Sequence, residues 1–431
     1  MITIRGIPNS ETKWHRLDNT AVIFPILANR SFSSVYRIAV RLMDDVKPEV
    51  LQQALDDTIL LFDSFRVRLH KGFFWYYFET NKRRPLINEE KTDPCAYIDP
   101  SLNNQFLFKV SYFKNRISLE VFHAITDGNG AINFLKELTC HYFRLLDGEM
   151  TDDNREVFSV DVTSNFEDGY EKNYRKGKKT GLSTSRAYQI KGEKLPLFSM
   201  GVLHGQLDTK SVLNFCRSRN ITINQYITTL LIWSVYKEYL HEQPSKSPVM
   251  VFIPVNLRPF FDSTTTLNFF SSISVGFKIE KSGYTFDEML AIVVRETQAQ
   301  LKRELFEEKI ANNVAIGRNI FVRCLPLALK NLAMRIAYLL TYDANTITVS
   351  NLGRIEMPEK YRDRIERFEI LISVADKEPQ KCAVCSYEDK LVITFTSRLK
   401  KTYLQRAFFR KIASDGLDVV LESNGVYYED L

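Results

Sequence analysis

A chain of 431 residues, 45% hydrophobic and 26% charged, carries enough apolar material for two sizeable cores or one bilobed unit. Lys and Arg exceed Asp and Glu by 58 − 52 = 6, a mildly basic balance that suits an anionic small ligand and does not call for nucleic acid. No apolar run reaches the ~18 residues of a membrane-spanning helix; residues 226–240 come nearest and are interrupted by Lys237 and Glu238. The opening residues, MITIRGIPNSETKWHRL, hold no apolar signal core, and six cysteines fit a reducing compartment. The expected location is the cytoplasm.

Residues 12–30 form an apolar segment with Pro25 inside it, expected to run into the edge of the fold. A strand is predicted over 35–43 and a helix over 46–61, with Val50, Leu51, Ala54, Leu55 and Ile59 on one side. Residues 65–69 and 73–78 suggest a short hairpin, and 83–104 are polar and irregular. A second hairpin is expected from 106–113 and 116–123 across Lys114-Asn115. In its second strand Ile117, Leu119, Val121 and His123 alternate with Ser118, Glu120 and Phe122, so His123 ends the strand on its apolar face. The chain then breaks over 124–128 and restarts as a helix near Ala131, with Ile132, Leu135, Leu138, Tyr142 and Leu145 on one face. A lone histidine on an apolar strand face is ordinarily a satisfied core residue. Here a carboxylate follows four residues later and Gly128 and Gly130 loosen the turn, an arrangement able to aim one imidazole into a cavity.

Residues 151–190 read as a crossover between a first lobe (1–150) and a second (191–431). The crossover holds Lys172, Arg175, Lys176, Lys178 and Lys179, either a solvated linker or an anion clamp. The second lobe reopens with a strand (200–207) and helices (208–219 and 223–240, the latter capped by Thr222). Strands follow at 249–255 and 269–279, then helices at 286–305, 308–322 and 327–341. Strands at 346–351, 367–374, 381–388 and 391–398, a helix at 403–414 and a strand near 417–421 complete it. Cys382 and Cys385 stand three apart in a strand pattern and so point to opposite faces, which argues against a metal or redox pair. Both halves open strand-then-helix, giving an α/β (α+β) chain of two lobes, each a mixed sheet flanked by helices.

Four segments carry a resemblance. His123-Ala124-Ile125-Thr126-Asp127-Gly128 resembles the HxxxDG signature of the acyltransferase superfamily with the chloramphenicol-acetyltransferase-like fold, which includes alcohol acetyltransferases, plant BAHD acyltransferases and condensation domains of peptide synthetases. Pro254-Val255-Asn256-Leu257-Arg258-Pro259, Asn268-Phe269-Phe270-Ser271-Ser272 and Ser350-Asn351-Leu352-Gly353 resemble recurring segments of condensation domains and alcohol acetyltransferases. The resemblance covers nearly the whole chain. It implies an active-site tunnel at the lobe interface, with His123 as general base and Asp127 in a structural salt bridge with Arg258. It also implies acyl-CoA as co-substrate with no resident cofactor or metal, which makes Arg175, Lys176, Lys178 and Lys179 candidates for the coenzyme's phosphates. Gly128 would let the backbone turn where a Cβ would crowd the cavity.

Neutral imidazole suits removal of a nucleophile's proton near pH 7. The tetrahedral intermediate needs an oxyanion donor; Ser350, Asn351 or a backbone N–H beside Gly128 could supply it, although Ser350 also reads as a plain strand-end serine. No GxSxG elbow occurs, and GNG at 128–130 lacks the Lys-Ser/Thr of a P-loop, so neither a serine hydrolase nor a nucleotide-hydrolysis site is implied. Phe122 replaces the first histidine of the HHxxxDG usual in condensation domains, and the plant-type DFGWG is absent. An HxxxDG in the first third, rather than near the C-terminus as in the trimeric chloramphenicol acetyltransferases, favours a two-lobe monomer. The expected activity is direct transfer of an acyl group, acetyl for preference, from acyl-CoA to an alcohol or amine. The alternatives are a condensation-type enzyme whose donor sits on a carrier protein, and a non-catalytic acyl-binding relative.

Overall fold

The computed structural model describes residues 12–149, 166–176, 186–196 and 199–426. Its first half begins with β1 (Trp14–Arg16) and α1 (Ile23–Leu27), then β2 (Val35–Leu42) and α2 (Pro48–Thr58). Pro48 starts α2 where a missing N–H costs nothing, and Leu51, Ala54 and Leu55 bury its inner face. β3 (Val67–Lys71), β4 (Tyr76–Thr80) and the short β5 (Asn88–Glu89) precede the hairpin of β6 (Phe108–Phe113) and β7 (Arg116–Phe122). α3 (Gly128–Leu146) packs back under them. It starts at Gly128 rather than Ala131 because the Asp127 side chain caps it, accepting from the Asn129 and Gly130 N–H groups.

After the short α4 (Gly169–Lys172), the second half runs β8 (Gly201–Asp208), α5 (Thr209–Ser218), α6 (Ile223–Glu238) and β9 (Val249–Asn256). Thr222 and Gln225 close a capping box on α6. α7 (Arg258–Phe261), β10 (Phe270–Phe277) and α8 (Phe286–Gln300) follow. The helix expected over 308–322 is two: α9 (Arg303–Arg318) and α10 (Ile320–Cys324), split where Asn319 leaves helical backbone to cap the Phe321 and Val322 N–H groups. α11 (Leu327–Thr341), β11 (Ile347–Ile355), β12 (Ile365–Ile372), β13 (Gln380–Tyr387), β14 (Lys390–Ser397), α12 (Tyr403–Ser414) and β15 (Val420–Ser423) end the fold.

The strands make a small β1-β4-β3 sheet and two mixed sheets, ordered β12-β2-β7-β6-β5 and β10-β9-β11-β13-β14-β8-β15. The α/β, mixed-sheet architecture expected from the sequence is thus observed. β12 leaves the second half to pair antiparallel with β2, setting Ile372 opposite Tyr36. Each large sheet has its own apolar core, and β13 serves both: Cys385 lies in the first core and Cys382 in the second. Residues 12–30 do reach an edge, since β1 is an outer strand of the small sheet, while the Asp18 side chain that follows turns inward and is buried.

Candidate active site

His123 follows the last residue of β7, and its N–H donates to the Ser34 carbonyl at 3.0 Å, which fixes where the strand ends. Its ring stacks on Phe24 with centroids 4.4 Å apart and meets Tyr36 edge-on at 4.9 Å and Phe270 at 5.5 Å. Nδ1 lies 3.0 Å from Asn268 Oδ1, while Asn268 Nδ2 donates to Asp18 Oδ2 at 3.0 Å. Asp18 Oδ1 in turn accepts from the Thr20 and Ala21 N–H groups at 2.9 and 2.7 Å. The order of donors fixes the tautomer. Asn268 gives its N–H to the carboxylate and turns its oxygen to the ring, so Nδ1 carries the proton and Nε2 keeps the lone pair. Burial pushes the His123 pKa below its ordinary value, against the opposing influence of its own carbonyl, Asp127 and Asn268. The imidazole is therefore neutral near pH 7. Burial pushes the Asp18 carboxyl up to about 7, opposed by the bonds from Asn268, Ala21 and Thr20.

Asp127 has no capacity left for proton transfer. Oδ1 accepts from Asn129 N, Gly130 N and Arg258 Nη2, each at 3.1 Å. Oδ2 accepts from Arg258 Nη1 at 2.8 Å and Phe269 N at 3.0 Å. Burial would raise this carboxyl, but the Arg258 charge and these bonds outweigh it and hold the pKa below its ordinary value. Arg258 is equally saturated, donating also to Asn256 Oδ1 and to the Thr265 and Leu267 carbonyls. This bidentate pair joins the turn before α3 to the start of α7, and through Leu267 and Phe269 it positions the segment that delivers Asn268 to the imidazole.

The other expected site residues fall in three places. A Cβ on Gly128 would lie 2.6 Å from Leu352 Cδ2, so the Ser350–Gly353 segment does reach the start of α3. A Cβ on Gly130 would lie 1.9 Å from Thr126 Oγ1 and 2.4 Å from the Thr266 carbonyl, a harder exclusion that motif reading overlooked. Ser350 is partly buried on β11, and Asn351 donates one amide N–H to Asn224 Oδ1 and accepts from Gly353 N. Arg175 and Lys176 are exposed, while Lys178 and Lys179 lie outside the described residues. Of the residues that touch or orient His123, Asn268 stood in a recognised segment without a role. Phe24, Asp18 and Tyr36 carried no signal, because only the folded chain brings 12–30 over the end of β7 and pairs β2 alongside it.

A cavity of about 390 Å³ lies beside this end of β2, lined by Ser33, Cys95, Tyr97, Ser373 and Arg398 among others. Arg398 is 6% exposed and donates Nη1 to Asp376.

No family model and no curated protein sequence matches the chain. Solved structures do. The trichothecene 15-O-acetyltransferase TRI3 from Fusarium sporotrichioides aligns with a TM-score of 0.61 at 11% identity, covering 94% of each chain. TRI101 from F. sporotrichioides, solved with coenzyme A and T-2, aligns at 0.63 and 9% identity over 94% of this chain and 99% of that one. The first condensation domain of the calcium-dependent antibiotic synthetase aligns at 0.63 and 13% identity over 95% and 99%. The chain therefore has the two-lobed chloramphenicol-acetyltransferase-like fold that these acetyltransferases and condensation domains share.

Proposed function

We propose that this protein is an acyltransferase that moves an acyl group, acetyl for preference, from acyl-CoA to an alcohol or amine by direct attack. The observation that carries the reading is the His123 ring itself: neutral, caged by aromatic side chains, with Nδ1 tied to Asn268 and Nε2 left as the base. In the step, Nε2 takes the acceptor's proton as its oxygen or nitrogen bonds to the thioester carbon. The carbon–sulfur bond then breaks, and the proton passes from Nε2 to the leaving thiolate. Asp127 and Arg258 are positioning residues that hold the turn. Of the donors at the start of α3, Asp127 engages the Asn129 and Gly130 N–H groups, so the Gly128 N–H is our choice for the oxyanion over Asn351, whose amide already donates to Asn224. The binding of coenzyme A by the TRI101 structure supports a CoA donor held in a tunnel between the lobes.

Release of free thiol from acetyl-CoA in the presence of an alcohol and amine panel tests the reading. We expect release by the wild type and a loss of roughly 10²–10⁴-fold in His123→Ala; full release by that variant defeats the assignment. The condensation-domain likeness favours one second reading, a donor carried on a phosphopantetheinylated carrier protein. Transfer from such a carrier with none from acetyl-CoA would select it.

A further inference from the structure

α10 and α11 are apolar helices that the described residues leave uncovered. No residue of α10 is buried, and in α11 Leu327 alone is. Phe321 is 81% exposed and Leu340 70%, with Ile320, Leu329, Leu332 and Ile336 all at least half exposed. α6 shows what an equally apolar helix does when it belongs to the core, since Tyr226 through Ile232 are buried without a break. The tip of the β3–β4 hairpin extends the same surface. Phe73 and Trp75 are largely exposed there, the Leu327 N–H donates to the Phe73 carbonyl at 2.8 Å, and Lys330 Nζ donates to the Phe74 carbonyl at 2.8 Å. Apolar patches of this kind, rimmed by charge, mark binding surfaces.

Charge identifies the occupant. Residues 309–342 contain Lys309, Arg318, Arg323, Lys330 and Arg335 and neither Asp nor Glu. Arg318 is engaged by Glu171 and Lys309 by the Ser272 carbonyl, whereas Arg323 stands exposed on α10, three residues on from Ile320 and so on the same helix face. Arg335 is anchored to the Ile26 carbonyl at 3.0 Å. Apolar and aromatic side chains accompanied only by cations match an anionic lipid surface, where the rings enter the headgroup boundary and the cations meet phosphate or carboxylate. A second copy of the chain would set like charges against one another. Neither helix crosses a bilayer: α11 has 15 residues, and among the described residues no helix is long and apolar enough. Helices of this kind suit lying on a bilayer, not spanning it.

We infer that α10, α11 and the Phe73–Trp75 tip form a docking face for an anionic lipid surface. The face abuts the site, because Arg335 and Tyr338 bind α1 and the residue that follows its loop: Arg335 holds Ile26, Tyr338 packs on Phe32, and Phe24 of α1 stacks on His123. Docking would thus bring α1, which stacks on His123, close to the lipid. The inference stands without the acyl-transfer reading.

Sedimentation with phosphatidylcholine vesicles, and with vesicles of phosphatidylcholine mixed with phosphatidylserine, tests it on the full chain. We expect partition onto the mixed vesicles, falling steeply as salt rises and much weaker on phosphatidylcholine alone. Arg323→Gln should weaken partition about fivefold. Ile320→Ser with Phe321→Ser should abolish most of it, and Leu332→Gln on α11 should act in the same direction. All four positions are exposed, so thermal unfolding should be unchanged, which separates lost docking from lost folding. No partition onto the mixed vesicles overturns the inference, as does partition that these variants leave intact. A concentration-dependent dimer that forms without lipid and is abolished by the same substitutions would assign the face to a second copy and overturn it too.

Discussion

Two buried charge assemblies hold this fold together, and they do different work. One is the single pair Asp127–Arg258, which ties the turn after β7 to the start of α7. The other is a field of charges on the inner face of the β12-β2-β7 sheet. Arg37 binds Glu120 and Glu90, Arg116 binds Glu90, and Glu369 binds Arg41 and Arg367. Burial would raise Glu369, but His204, Arg41 and Arg367 bring its pKa down to about 2. In the second assembly each charge has several neighbours of opposite sign, so its geometry is over-determined and losing one member leaves others to share the remainder. The clamp has no reserve. All five side-chain N–H groups of Arg258 are committed and Asp127 accepts five hydrogen bonds, and the chain it positions carries the partner of the reacting imidazole. Equal burial therefore does not mean equal consequence.

The comparison can be broken by mutation. The largest effect sits at what the clamp serves: His123→Ala should cost roughly 10²–10⁴-fold in rate. Next, Arg258→Ala strands the Asp127 charge, for an expected loss of about 3–5 kcal/mol together with most activity. Glu120→Gln, which keeps the shape and leaves Arg37 its Glu90 partner, should cost about 1–3 kcal/mol in chemical denaturation while leaving kcat within about twofold of wild type (a change small beside the tenfold steps of barrier arithmetic). Similar stability losses with similar activity losses in these two variants would end the distinction drawn here. At the turn itself, Gly130→Ala should destabilise more than Gly128→Ala, because its Cβ would meet the Thr266 carbonyl whereas the Cβ at 128 meets the movable end of Leu352.

The smallest effect concerns Asp18. Its folded pKa, about 7, lies above its ordinary value, so the folded state holds a proton that the unfolded chain has shed. Stability from this group is full in acid and is lost as pH rises through about 7; Asp127, whose pKa is lowered, behaves oppositely and loses its contribution as pH falls. Denaturation from pH 5 to 8, roughly the span over which such a carboxyl titrates, should show the Asp18 slope in the wild type and not in Asp18→Asn. If Asp18 works only through the orientation of Asn268, the same variant should lower kcat rather than raise KM, and shift the acid limb of the pH–rate profile that reports His123. An unchanged profile would remove Asp18 from the positioning chain.

The hydrophobic period of 116–123, the break at Asp127-Gly128 and the apolar face beyond it fixed a strand, a turn and a helix before any coordinates, since those depend on side chains adjacent along the chain. Likeness to a known signature added the pairing of Asp127 with Arg258. The period also put Cys382 and Cys385 on opposite faces, where they are found. Other features had no local cause and were not legible: Asp18 turning inward, Asn268 reaching Nδ1, β12 crossing to β2, and Arg37 and Glu120 burying their charges against each other. An alternating strand looks the same whether its polar face meets water or a second layer, and only packing decides which. α11 is the converse case. Its sequence specified an apolar helix, and the tertiary structure decided that nothing within the described chain covers it, because the neighbouring helices and sheets bury their apolar faces against one another and leave this one to solvent.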